Sequence, residues 1–136
     1  MFNEHGGFEL KLDGNILLAV VNGAWNAETA QAYREAILKL IESLHHKPWA
    51  LISNVNDWEL CTPDCELLMG QLLAECRGKG IKREAVINSN IQSVKLDLFH
   101  KHTKQQSLKP PPDVFQRCFF ETEEEARKWL KNEGYG

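Results

Sequence analysis

Phe115-Gln116-Arg117-Cys118-Phe119-Phe120-Glu121-Thr122-Glu123-Glu124-Glu125-Ala126-Arg127-Lys128-Trp129-Leu130 is the stretch on which the fold turns. Phe115, Cys118, Phe119 and Phe120 read as a buried strand. Thr122 followed three residues later by Glu125 has capping-box spacing, and Ala126, Trp129 and Leu130 then fall on one helical face. A strand feeding directly into an amphipathic helix that runs to about Glu133 is the closing unit of an α/β domain. On this reading Trp129 packs on the sheet or a neighbouring helix and anchors the end of the domain.

The same unit recurs upstream. Phe8 to Leu12 alternates apolar and polar residues, Asp13-Gly14-Asn15 is a hairpin turn, and Ile16 to Val21 returns as a more deeply buried strand ending at Asn22-Gly23. Asn26 is a helix N-cap, with Trp25 before it placed to staple onto Ala30. Ala30, Tyr33, Ile37, Leu40, Ile41 and Leu44 line one face of that helix, the pattern of a helix laid on a sheet. Trp49 to Val55 is the next strand, and Asn56 to Cys61 a short loop. A second helix opens with Thr62 as N-cap and Pro63 in the first helical position. Ala85 to Ile87 forms a fourth strand, and Gln92 to His102 a third helix. Lys104 to Asp113, with Pro110-Pro111-Pro112, is a long loop. The expected fold is therefore α/β: a mainly parallel four- or five-stranded sheet with an N-terminal antiparallel hairpin strand, covered by about four helices.

Residues 1–136 fit one domain, large enough to bury a core without staples. Apolar residues make up 43% and charged ones 26%, as in ordinary globular chains. A net charge of -3 with interspersed signs lacks the basic footprint of nucleic-acid binding. The longest apolar run, Ile16 to Val21, falls far short of the ~20 residues of a membrane span. The first residues lack a signal-peptide pattern, so a cytoplasmic location is expected. Reduced, buried or incidental thiols are then expected of Cys61, Cys65, Cys76 and Cys118, and surface positions of the histidines.

Motifs for chemistry are missing. There is no GxGxxG or P-loop, and Arg77-Gly78-Lys79-Gly80 sits at a helix C-terminus, which repels anions. No G-x-S-x-G elbow links a serine to a base. Cys61 or Cys65 near a helix N-terminus is placed for a lowered pKa, but sequence sets no histidine beside them. No catalytic residue, metal site or cofactor is expected. The best candidate surface is the loop after the third strand, since partners and ligands meet α/β sheets at the carboxyl ends of parallel strands. It carries Trp58 and Leu60, which either tuck back over the core or form an exposed apolar patch for a partner or ligand, with Trp25 at the corresponding place after the second strand.

The hairpin Phe8 to Val21, the strand Trp49 to Val55, the helix opening at Thr62-Pro63 and the ending Phe119-Phe120-x5-Ala126-x2-Trp129-Leu130 resemble STAS-type, SpoIIAA-like bacterial proteins. The resemblance spans nearly the whole chain. It implies a SpoIIAA-like β-α superhelix, shared with anti-sigma-factor antagonists and more distantly with CRAL-TRIO lipid-carrying domains. The antagonists carry a phosphorylatable serine in an Asp-Ser-Ser-Gly-like turn. Thr62 is nearest that place, but Cys61-Thr62-Pro63-Asp64 lacks the aspartate, the paired serines and the glycine.

The expected function is a non-enzymatic regulatory or protein-interaction domain with a protein partner, and a homodimer is one form such a contact takes. The alternative is a carrier or sensor of a small apolar, lipid-like ligand. Expected partner or ligand residues are Trp25, Trp58, Leu60, Thr62 and Met69, with Thr62 also the candidate phosphorylation point.

Overall fold

The computed structural model describes residues 6–89 and 110–136. A five-stranded sheet runs through the chain: β1 (Gly7–Asp13), β2 (Ile16–Trp25), β3 (Trp49–Cys61), β4 (Ile81–Ile87) and β5 (Gln116–Phe120). Its spatial order is the sequence order, β1-β2-β3-β4-β5. The β1–β2 pair is antiparallel and the three others parallel. Three α-helices stand among the described residues, α1 (Ala27–Ile41), α2 (Pro63–Arg77) and α3 (Glu123–Asn132), with a 3-10 turn over Glu42–Leu44. The helix expected over 92–102 and most of the loop expected from 104 lie outside the described residues.

The helix starts follow from their caps. Asn26 Oδ1 accepts from the Thr29 amide at 3.0 Å, Thr62 Oγ1 from Cys65 at 3.3 Å and Thr122 Oγ1 from Glu125 at 3.2 Å. Side chains alternate across each strand, which divides the core in two. Leu17, Ala19, Val21, Trp49, Leu51 and Val55 face α1 and α2. Ile16, Ala50, Ile52, Ala85 and Ile87 face α3, where Ala126 and Leu130 seal the contact. An ion pair from Arg34 to Glu75 (2.7 Å) ties α1 to α2 and holds the Glu75 carboxyl below its ordinary range. Gly80, at φ +106°, leads into β4; a Cβ there would lie 2.6 Å from the Lys47 carbonyl oxygen.

Two expectations about elements change. β2 and β3 run on past Val21 and Val55 to Trp25 and Cys61, so the segment from Asn56 to Cys61 is strand and not loop. Their pairing slips between Val20 and Asn22 and again between Gly23 and Ala24, with Gly23 at φ 72°. Bulges of this kind break the alternation by which a strand is recognised, while the ladder itself continues.

Trp129 is the second change. It packs on the α3 face of the sheet, its ring 5.4 Å from that of Phe120, but it is only half-buried. Leu130 and Ala126, both fully buried, hold the helix down. Trp129→Ala is therefore expected to cost about 1–3 kcal/mol in urea unfolding, less than the ~3–5 kcal/mol of a fully buried tryptophan. A loss of the larger size would mean that the ring is deeper in the core than described.

Candidate functional site

The extended ends of β2 and β3 carry Trp25 and Trp58 into the interior. Trp25 is 1% and Trp58 2% exposed, so Trp58 tucks into the core from a strand and does not stand on a partner surface in a loop, a correction to its place among the expected partner residues. The bulged register turns Trp58 inward and leaves Leu60, 60% exposed, outward. The two indoles do meet, as their parallel positions suggest, but inside: the rings lie 5.8 Å apart at 81°. Trp25 also packs edge-on against Tyr33 (5.0 Å) and Phe8 (6.1 Å), and its Nε1 donates to the Asn22 carbonyl at 2.9 Å. These ring contacts, beyond the expected staple to Ala30, fix it at the start of α1.

Between these tryptophans, α1, α2 and the sheet lies a cavity of about 60 Å³. Tyr33 reaches it from α1, and Met69, Leu72 and Cys76 from α2. Its floor is polar. Glu84 on β4 and Arg117 on β5 are register partners, and Ser53 on the adjacent β3 lies two places along from the partner of Glu84, all three on the α1/α2 face. Arg117 Nη2 lies 2.6 Å and its Nε 2.7 Å from Glu84 Oε1, and Ser53 Oγ donates to Oε2 at 2.8 Å. All three residues are buried. A buried carboxylate needs both a countercharge and filled lone pairs, and Glu84 has them. The Arg117 guanidinium also stands 5.9 Å over the Phe115 ring.

This floor pervades the surrounding electrostatics. Burial first, and then the negative charge of Glu84, push the Tyr33 hydroxyl well above the ordinary phenol range. The same two causes, in that order, push the Cys76 thiol up to about 12. Cys65 moves opposite to the lowered pKa that its helix N-terminus suggested: a hydrogen bond with Cys61, then burial, raise it. Here the desolvated, thiol-paired site outweighs the helix dipole.

Of the five residues expected at the site, Trp25, Trp58 and Met69 come together on the cavity wall. Leu60 and Thr62 do not; both are exposed, at the end of β3 and the cap of α2. Sequence reasoning missed Ser53, Glu84 and Arg117, and took Tyr33 only as a core residue. The signal was an acid and a base set inside two apolar strand runs, Ile81 to Ile87 and Phe115 to Phe120, but their pairing depends on a strand register that sequence does not display. At 60 Å³ the cavity is well below the roughly 300–1,000 Å³ of ordinary ligand pockets, and it has no room for an acyl chain.

On the outside, α2 presents Pro63, Leu67, Gly70, Gln71 and Ala74 as the walls of a shallow groove with Glu66. Leu67 is 65% exposed. From Pro48 to Cys76 the chain has no lysine or arginine, while Asp57, Glu59, Asp64 and Glu66 cluster around Leu60 and the first turn of α2. No group of three or more His, Cys, Asp or Glu among the described residues could hold a metal ion. No described helix is long and apolar enough to cross a membrane.

No family model matches this chain, and no curated protein does. Among solved structures it is similar to the crystal structure of an uncharacterized protein of the DUF3478 family from Shewanella loihica PV-4, which has a SpoIIAA-like fold. The two share 15% sequence identity at a TM-score of 0.67, over 96% of this chain and 98% of that one. A sheet in sequence order with one antiparallel hairpin strand, helices on both faces and this likeness along nearly the full length together establish that the chain has the SpoIIAA-like fold.

Proposed function

We propose that this chain is a non-enzymatic interaction domain whose partner surface is the end of β3 with the outward face of α2, and that its partner is a basic protein segment with an apolar side. One observation carries the reading: Leu60 and Leu67, 60% and 65% exposed, stand in sequence beside Asp57, Glu59, Asp64 and Glu66, in a stretch devoid of basic residues. Large apolar side chains in water at the carboxyl ends of parallel strands mark a contact surface. The acidic surround selects a basic partner and gives the contact a salt dependence.

Leu60→Ser with Leu67→Ser is expected to change stability by no more than about 0.5–1 kcal/mol, since both side chains are already in water. The same variant is expected to lose the partners that the parent chain retains in a pull-down from its native cell. Asp64→Lys with Glu66→Lys is expected to do the same, with the parent's retention weakening as salt rises. Equal yields from the parent and both variants would remove this surface as the interface.

Thr62 caps α2 in the middle of this surface, and its side chain is exposed. A phosphate there would meet the favourable end of the helix dipole and add negative charge facing a basic partner. On this reading the modification strengthens the contact, and Thr62→Glu retains partners more firmly than the parent at equal salt.

A further inference from the structure

β1 is the outermost strand of the sheet, and among the described residues no strand pairs on its side away from β2. A bare edge is a row of amides and carbonyls open to another strand, and proteins usually blunt one with a proline, a bulge or a charge set against pairing. β1, Gly7-Phe8-Glu9-Leu10-Lys11-Leu12-Asp13, has no proline, and its register with β2 runs without a bulge from Gly7 to Asp13. Phe8, Leu10 and Leu12 are half-buried and, with Ala36 and Leu40 of α1, wall a shallow apolar groove beside the strand. Glu9 and Lys11 alternate with them on the other face; both are exposed, and neither makes an ion pair among the described residues.

We propose that two copies of this chain dimerise by antiparallel pairing of β1 with β1, about a two-fold axis through Leu10, joining their sheets into one. In this register β1 is its own complement. Leu10 is the middle of the strand, so all of Gly7–Asp13 pairs, and residues opposite one another share a face. Glu9 then lies opposite Lys11 of the partner subunit, and the two-fold repeats that pair with the roles exchanged. On the α1 side Phe8 lies opposite Leu12 of the partner subunit, so each groove is covered by apolar side chains like those that wall it. Moving the axis two places shortens the pairing and sets like charges opposite: Glu9 against itself, or Lys11 against itself with Glu9 against Asp13. A one-place slip would turn the apolar side chains to the face of the charged ones. A second copy supplies the matching strand by construction, which an unrelated extended segment does not.

The test is sedimentation of the full chain over a series of concentrations, where a monomer–dimer equilibrium is expected. Glu9→Lys and Lys11→Glu each make both symmetric pairs like-charged, and each is expected to raise the dimer Kd by about tenfold or more. Joining the two substitutions reverses every pair and keeps them complementary, so the Kd is expected to return to within about threefold of the parent's. An equimolar mixture of the two single variants is expected to form a mixed dimer more readily than either forms its own. Both side chains are in water, so urea midpoints should stay near the parent's and folding does not confound the comparison. Leu60→Ser with Leu67→Ser is expected to dimerise as the parent does, since that surface is separate from this edge. A chain that stays monomeric up to about 1 mM would overturn the proposal and leave the edge to a strand of another protein. So would a dimer indifferent to both single substitutions, a joined variant as weak as the single ones, or a dimer abolished by the leucine substitutions.

Discussion

Arg117→Met is expected to destabilise the chain by about 3–5 kcal/mol at pH 8, the cost of leaving a buried carboxylate without its countercharge. Glu84 is 3% exposed, and of its contacts only the Ser53 hydroxyl would remain. Joining Glu84→Leu to Arg117→Met should restore much of the stability, because neither charge is then orphaned. Urea unfolding of parent, single and double variants checks both statements. A loss under about 1 kcal/mol in the single variant would show that the pair is hydrated.

Trp25→Ala should cost about as much, about 3–5 kcal/mol, out of the ~5–15 kcal/mol typical of a domain. The ring is 1% exposed and meets Phe8, Tyr33 and Trp58 edge-on. Its removal merges the space of an indole with the existing cavity and strips the Asn22 carbonyl of its donor. Trp25→Phe refills most of that volume and should cost less than half as much. Urea midpoints at constant slope measure the difference. Equal costs for the two variants would mean that the hydrogen bond to Asn22, and not packing, holds the strand end.

The chain made its architecture legible wherever local chemistry decides structure. Asn26, Thr62 and Thr122 were readable as caps because a cap is a contact across three residues. The hairpin at Gly14 and the inward face of α1 were readable for the same reason. The continuation of β2 and β3 was not: Asn22-Gly23 looks like a stop, and only pairing with a neighbouring bulged strand makes it a passage. Trp58 thus seemed available to a partner while being part of the core. Ser53, Glu84 and Arg117 were hidden more deeply, since residues 31 and 33 positions apart become neighbours only through sheet register. Leu60 stood out in sequence as a large apolar residue outside any amphipathic pattern, whereas Leu67 was not singled out because α2 has apolar residues on more than one side.

The arrangement of α3 has a consequence for how the polypeptide is made. The sheet face bearing Ile16, Ala50, Ile52, Ala85 and Ile87 is covered by Ala126, Leu130 and Tyr135, and the Gly136 amide reaches back to Asn15 Oδ1 at 3.4 Å. The covered strands are synthesised first and their cover more than thirty residues after the last of them, as the separation of Ile87 from Ala126 shows. At the ~5–20 residues per second of translation, α3 reaches this side of the sheet only seconds after Ile87 has been made. A nonsense mutation before Glu123 would release a species whose α1/α2 half can pack while its opposite side lacks Ala126, Leu130 and Tyr135, a loss that invites aggregation or chaperone capture.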